Sequence, residues 1–278
     1  MSESSDSAVI SIDRGASFTD FGVVKSSRLI ETISIESRDW ADIEQAYQRL
    51  KSKYTKAHSV FTGSANGMPS AMESLIQIIP EIDAIGFGGA ALSGCRECLV
   101  ASAGTGTAIV LFSHDRCKHV GGTAVGGGTI KGLATLICGL DDPAAIEKMA
   151  LQGDSSKVNL TISDLGYEDI SFLGSDVTAG NLAAVNSKKI EDLAAGILCL
   201  VGETIGIIAS LCAREHKCQE NIVVVGKVAG NKYIRHTLDL VGTLYQTKFI
   251  FPDNPGYATV FGAAIKYLHE MKAMNSSV

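Results

Sequence analysis

The chain opens on short apolar runs separated by Gly and Ser. Ala8–Asp13, Phe21–Lys25 and Leu29–Ile35 read as three strands joined by tight turns. The apolar positions of Asp39–Leu50 then fall at helical spacing, followed by a strand over His58–Thr62 and a helix over Ser70–Ile79. A second strand pair is predicted at Leu99–Ala103 and Ala108–Ser113. Helices follow at Thr129–Gly139 and Pro143–Leu151, with one long helix over Lys189–Lys217. The end of the chain alternates: strand Asn221–Val225, helix Lys232–Thr243, strand Thr247–Phe251, helix Tyr257–Met274. Strands alternating with helices define an α/β protein, and no low-complexity linker divides it.

Composition narrows the class. At 278 residues, 46% hydrophobic and 19% charged, the chain suits one large domain or two lobes sharing a cleft, and it is not disordered. A net charge of −6 argues against nonspecific nucleic-acid binding, which depends on Lys and Arg meeting phosphates. Trp40 and the scattered aromatics form no stacking stripe for single strands. The N-terminal MSESSDS lacks a basic region and an apolar core, so no signal peptide is expected. The apolar stretch Ala194–Ala213 carries Glu203 at its centre and reads as a buried helix rather than a membrane span. Seven cysteines do not suggest a disulfide framework, and a cytoplasmic location is expected. Cys95 and Cys98 form a lone CxxC, weak evidence for a metal, and Cys138, Cys199 and Cys212 read as core. Of 29 glycines, twelve lie between Gly86 and Gly132, which predicts a local cluster of tight turns.

Two segments carry candidate chemistry. Ser11–Ser17 (SIDRGAS) and Ser102–Ala108 (SAGTGTA) each end a strand, turn on small residues and begin another strand, a weak internal repeat. Facing each other, two such hairpins would clamp a polyphosphate with backbone N–H groups; standing apart, they are ordinary hairpins. The run Gly121–Gly132 (GGTAVGGGTIKG) leads into a helical pattern, as a phosphate-binding helix N-terminus would. It matches neither a P-loop nor a dinucleotide fingerprint, so nucleotide binding and a structural glycine turn both stand.

The order of motifs adds a resemblance. GGTAVGGGTIKGL followed by GDSSKVNL (Gly153–Leu160) resembles the type II pantothenate kinases shared by staphylococci and eukaryotes. FTGSANG (Phe61–Gly67), EIDAIGFG (Glu81–Gly88) and AGTGT (Ala103–Thr107) extend the match, as do DVTAGNL (Asp176–Leu182), AREHKCQENIVVVG (Ala213–Gly226) and PGYATVFGAA (Pro255–Ala264). The resemblance implies an actin-like ATPase/sugar-kinase, ribonuclease H-like fold with two lobes around a nucleotide cleft, divided as residues 1–80 and 81–278. It further implies a homodimer built on the long helix, with CoA or acyl-CoA as a regulator. The implied reaction is ATP-dependent phosphorylation of pantothenate to 4'-phosphopantothenate, the first step of coenzyme A biosynthesis.

By the same resemblance, Asp13 would hold Mg²⁺ and Glu81 would be the general base. Gly15, Ser17, Gly104, Thr105, Gly106 and Thr107 would hold phosphates in the two hairpins, with Gly122, Gly126, Gly127 and Gly128 in the glycine loop. Gly226, Asn231 and Arg235 would lie near the adenosine. Thr178, Asn181 and Tyr257 would face pantothenate together with Glu81, Thr105 and His119, with Thr178 and Asn181 reaching over from a second subunit. Several positions depart from the family pattern. Asp13-Arg-Gly-Ala-Ser17 has Ala16 where the family has a glycine, and the family's hairpin lysine is Asp20 here. His119 stands for the family's active-site arginine, and Ser102 for an asparagine. Arg14, Lys118 and His119 are the nearby residues that would return positive charge. Losing such cations weakens stabilisation of a transferring phosphoryl group. A noncatalytic nucleotide- or acyl-CoA-binding homologue and a kinase for a related acceptor such as pantetheine are therefore the alternatives.

Overall fold

Two sheets of the same topology carry the chain. The computed structural model describes residues 8–37, 39–74 and 76–276; the segment 1–7, read above for a leader, lies outside them. In the first sheet, β1 (Val9–Arg14), β2 (Phe18–Lys25) and β3 (Arg28–Glu36) form an antiparallel meander. Helix α1 (Trp40–Lys53) leads to β4 (His58–Gly63), which pairs parallel to β1. The short helix α2 (Ser70–Glu73) leads to β5 (Gln77–Ile78), completing the order β3-β2-β1-β4-β5. Helix α3 (Glu81–Ser93) crosses to the second sheet, where β6 (Cys98–Ala103), β7 (Thr107–Ser113) and β8 (Arg116–Thr123) form the same meander.

The long excursion between β8 and the next sheet strand builds the rest of the second lobe. It contains α4 (Gly127–Cys138), α5 (Pro143–Ala150), the short strands β9 (Leu160–Thr161), β10 (Asp169–Ile170), β11 (Leu173–Gly174) and β12 (Thr178–Gly180), and the long helix α6 (Ile190–Glu215). Strand β13 (Ile222–Val225), helix α7 (Lys232–Tyr245), strand β14 (Phe249–Ile250) and helix α8 (Ala258–Ser276) follow, giving the order β14-β13-β6-β7-β8. The two orders are the same pattern, so the weak repeat in the sequence belongs to two copies of one unit. Local signals start the helices: Asp39, Asp142 and Asn231 each accept an N–H bond as N-cap, and Pro143 occupies the first turn of α5.

Alternation along the strands sorts the core into layers. Ile10, Ile12, Phe21 and Phe61 face α1 through Ile43, Tyr47 and Leu50. Val9, Val24 and Val60 face α8 through Phe261, Ala263 and Tyr267. In the second lobe, Leu99, Ala101, Ile109 and Val224 pack on α6, while Cys98, Val100, Val110 and Val225 pack on α3. Helix α6 alone among the described residues is long and apolar enough to cross a membrane. It is a core helix, wrapped by α4, α5 and α7 on the second sheet. Helix α8, last in the chain, covers the first sheet, so lobe one by packing is residues up to 80 together with α8.

The two lobes meet where α3 and α8 cross. A Cβ on Gly88 would stand 2.0 Å from the Ala258 carbonyl oxygen, and one on Gly262 would stand 1.9 Å from that of Ala84. The helix axes therefore approach through glycine, with backbone against backbone.

This corrects three readings of the sequence. The glycines at 86, 88 and 89 make no turn; they lie inside α3, against Cys117, Ala258 and Val100. Of the glycine run, Gly121 and Gly122 belong to β8 and Gly127, Gly128 and Gly132 to α4, so only Gly126 is left as the N-cap. The expected helix Ser70–Ile79 stops at Glu73, because Gln77–Ile78 pairs with Val60–Phe61 and Pro80 follows.

Gly88→Ala and Gly262→Ala must displace backbone rather than a side chain, so each is expected to destabilise by about 2 kcal/mol or more. Gly132→Ala, exposed in α4 with nothing within 4 Å of the new methyl, is expected to be neutral or stabilising by about 0.5–1 kcal/mol. Urea unfolding of the three variants checks the contrast.

Candidate active site

The two hairpins, one from each sheet, meet at their turns. The Ser17 Oγ of the first lies 3.1 Å from the Thr105 Oγ1 of the second. Gly15 N–H closes the first turn on the Phe18 carbonyl at 3.0 Å, and Gly104 N–H closes the second on that of Gly106 at 2.9 Å. The N-terminus of α4 is docked on this second hairpin. Gly127 and Gly128 donate their N–H groups to the carbonyls of Gly104 and Thr105, at 2.8 and 2.9 Å. A Cβ on Gly126 would be 2.7 Å from the Thr105 carbonyl oxygen. The glycine run thus lets a helix end touch a hairpin, and the first N–H groups of α4 hold the hairpin instead of lying open to an anion. Thr107 is likewise committed: its buried hydroxyl donates to Val125 O at 2.9 Å. A Cβ on Gly122 would meet the Thr107 carbonyl at 2.6 Å.

Three carboxylates gather beside the first hairpin. Asp13 and Asp20 are directly opposite in the β1–β2 ladder, and the charge of Asp20 bears on Asp13. Glu81, the first residue of α3, adds its own negative charge near Asp13. Burial, then Glu81, then Asp20 push the Asp13 carboxyl up to about 7; Lys227 and a hydrogen bond with Thr259 pull the other way. Lys227 comes from the second lobe, just after β13, and its Nζ lies 3.1 Å from Asp20 Oδ1. Lys227 is thus the partner of the buried Asp20 Oδ1, whereas neither Ser11 Oγ nor Thr62 Oγ1, on β1 and β4, has a hydrogen-bond partner. No three or more His, Cys, Asp or Glu side chains among the described residues are arranged to hold a metal by themselves. Mg²⁺ asks less of a protein: one or two carboxylates, with phosphate oxygens and water completing its shell. Asp13, already disfavoured as an anion by its like-charged neighbours, fits that requirement.

The remaining expected residues divide between two places. Gly226, at φ +90°, donates to the Pro255 carbonyl at 2.8 Å, and a Cβ on it would stand 2.3 Å from the Ala103 carbonyl. It fixes the end of β13 against the second hairpin. Beside it, Lys227, Gly230, Asn254, Pro255, Gly256 and Tyr257 line a cavity of about 350 Å³. Tyr257, expected near pantothenate, is therefore in this wall. Asn231 spends its Oδ1 on the N–H of Ile234 at 3.0 Å, and Arg235 lies over the Phe251 ring at 5.2 Å; both act first as structure. Thr178 and Asn181 lie elsewhere. Asn181 donates to Glu203 Oε2 at 2.8 Å, and Thr178 bonds the Cys199 thiol, which burial and Glu203 push up to about 12. The two are grouped with the centre of α6, not with the Asp13–Glu81 cluster. His119 is exposed on β8, on the same side as Cys117, which touches α3; Lys118 points to the other side. The Arg14 side chain is turned toward Trp40. It lies 4.6 Å over the Trp40 ring and donates to the Ser64 carbonyl at 3.3 Å.

Sequence reasoning missed Lys227 and Thr259. A lysine following a glycine at a strand end, in a chain with an acidic residue inside a hairpin, was the available signal. The cysteines carry no metal arrangement among the described residues: burial and the neighbouring Cys95, Cys218 and Cys117 push Cys98 up to about 12.

Solved structures with the same arrangement include the activator of the 2-hydroxyisocaproyl-CoA dehydratase from Clostridium difficile with bound ADPNP. It aligns with a TM-score of 0.68 and 18% identity over 98% of both chains. A ROK family glucokinase from Streptomyces griseus in complex with glucose and AMPPNP aligns with a TM-score of 0.57 and 14% identity, over 93% of this chain and 98% of that one. The fold is that of the actin-like ATPases and sugar kinases. Among relatives by sequence, the type II pantothenate kinase of Oceanobacillus iheyensis is 26% identical over 266 residues, 92% of this chain and 98% of the relative. That of Staphylococcus aureus is 26% identical over 233 residues, 80% of this chain and 87% of its own. The model of the Fumble family matches residues 95–266, which hold the second hairpin, the glycine run and the long helix. The chain belongs to the Fumble family, that of the type II pantothenate kinases.

Proposed function

We propose that the protein transfers the γ-phosphoryl group of ATP to the terminal hydroxyl of pantothenate, giving 4'-phosphopantothenate and ADP. The observation that carries this reading is the gathering of negative charge from Asp20 and Glu81 about Asp13, on the hairpin whose tip touches the second hairpin, in a member of this family. The cavity at Lys227, Gly230 and Tyr257 takes the adenosine, and the hairpins at Gly15–Ser17 and Gly104–Thr105 take the phosphates. Asp13 holds Mg²⁺, which when bound offsets charge on the phosphate oxygens. Glu81 accepts the proton of the acceptor hydroxyl as its oxygen bonds to phosphorus and the bond from phosphorus to the ADP oxygen breaks. Its place at the first turn of α3 leaves it exposed to an incoming acceptor. His119 and Thr105 orient the acceptor from the second sheet.

The reading includes a cytoplasmic homodimer responsive to CoA or acyl-CoA. Leu136, Leu211 and Leu240 are exposed on α4, α6 and α7, apolar surface of the kind a subunit contact covers. Thr178 and Asn181 belong to this reading as residues facing pantothenate across that contact.

An ADP-release assay across pantothenate, pantetheine and pantoate tests the acceptor. Wild type is expected to turn over pantothenate, and Glu81→Gln to lose about 10²–10⁴-fold in kcat. Turnover of pantetheine alone would transfer the reading to that acceptor. Nucleotide binding without turnover of any of the three would replace it with a ligand-binding role.

Asp13 gives a second check. Its folded-state pKa near 7 lies above the ordinary 3.8, so between those values the folded protein binds the extra proton. Stability of the metal- and nucleotide-free protein therefore falls as pH rises through that window and levels off above it, by on the order of 4 kcal/mol. Thermal unfolding between about pH 5 and pH 8 should show this fall in wild type and a smaller one in Asp13→Asn. Parallel curves would contradict the assignment.

A further inference from the structure

We infer that Lys227 is the cation that holds the nucleotide's phosphates in this chain, supplied from the second lobe, and that Asp20 positions it. The inference rests on the kinase reading, at the level of nucleotide binding. Asp20 is 7% exposed and faces Asp13 across the ladder, at the position where the resemblance places a lysine on the first hairpin. An acidic residue there puts two carboxylates side by side and adds a third, Glu81, nearby. A polyanion entering that space needs positive charge, and Arg14 is turned away onto Trp40.

Lys227 is built to supply it. Its backbone is fixed by Gly226, whose N–H bonds Pro255 and whose Cα is pressed on Ala103 at the edge of the second hairpin. Its stem lines the cavity with Gly230 and Tyr257, and its head reaches over to the first lobe. There Nζ lies 3.1 Å from Asp20 Oδ1, 2.7 Å from Ser34 Oγ and 3.7 Å from the centre of the Phe18 ring. Phe18 immediately follows Ser17, the residue in contact with Thr105. The side chain therefore runs from the cavity to the meeting point of the hairpins, the path from a nucleoside to its phosphates.

The Lys227 side chain is 39% exposed, so a ligand in the cavity can reach it, and the aromatic face and Asp20 hold its head in place. A lysine is a point charge on a flexible stem, able to exchange a carboxylate oxygen for a phosphate oxygen without rebuilding the site. The cation of this site thus comes from the turn after β13, and Asp20 on β2 is its support.

Titration calorimetry of the full chain with Mg-ATP and, separately, AMP tests this without any acceptor. Lys227→Met is expected to weaken ATP binding about tenfold or more and AMP binding less than about threefold, since the charge acts on the distal phosphates. Lys227→Arg should stay within about threefold of wild type. Unchanged ATP affinity in Lys227→Met, or an equal loss for ATP and AMP, would overturn the inference. If Lys227→Met fails to fold, Asp20→Lys/Lys227→Met carries the test, because it returns the cation to β2. ATP affinity within about threefold of wild type supports the inference, and a loss of about tenfold or more overturns it. A wild type that binds ATP but phosphorylates none of the acceptors leaves this inference standing and removes the pantothenate reading alone. Turnover of pantothenate with undiminished ATP binding in Lys227→Met does the reverse.

Discussion

The crossing of α3 and α8 through Gly88 and Gly262 is the constraint on which the site depends. Each helix serves the sheet that did not precede it: α3 follows the first sheet and packs on the second, and α8 follows the second and packs on the first. Their backbone contact therefore ties both lobes at one place. Glu81 begins α3, and Thr259, in the first turn of α8, bonds Asp13 at the end of β1. The residues that gather the negative charge are thus set by helix ends whose separation the glycines fix. A methyl group at either glycine would push those ends apart, which is why the chain accepts glycine in helix interiors despite its entropic cost.

Charge is then balanced across the cleft rather than within one hairpin. Asp13 and Asp20 repel each other across the β1–β2 ladder, and protonation of Asp13 near pH 7 relieves part of the repulsion. Lys227 relieves the other part from the second lobe. Because the attraction spans the lobes, it also draws them together at the place where Ser17 and Thr105 already touch. A site with surplus carboxylate charge and a single flexible lysine suits a metal-bound polyphosphate, whose cation answers the carboxylates and whose anion answers the lysine.

Much of the fold was legible in the sequence because strand and helix periodicity survive in short apolar runs such as Ala8–Asp13 and Asn221–Val225. The two hairpins were recognisable because each turn is spelled in small residues at the end of a buried strand. What failed was glycine. Gly86, Gly88 and Gly89 look like a turn when read along the chain, and only the partner helix shows that they are a contact surface. The N–H groups of Gly127 and Gly128 looked free for an anion because the carbonyls they bond belong to a hairpin more than twenty residues earlier. The active-site cation was hidden for the same reason: Asp20 and Lys227 are joined by no local pattern, only by the second sheet repeating the first.

A crystal structure with a nonhydrolysable ATP analogue, Mg²⁺ and pantothenate would show directly what the two hairpins and Glu81 hold. The β- and γ-phosphates are expected between the turns at Gly15–Ser17 and Gly104–Thr105, Mg²⁺ beside Asp13, and the pantothenate hydroxyl within reach of Glu81. A nucleotide seated away from both hairpins, or pantothenate bound out of reach of Glu81, would contradict that arrangement.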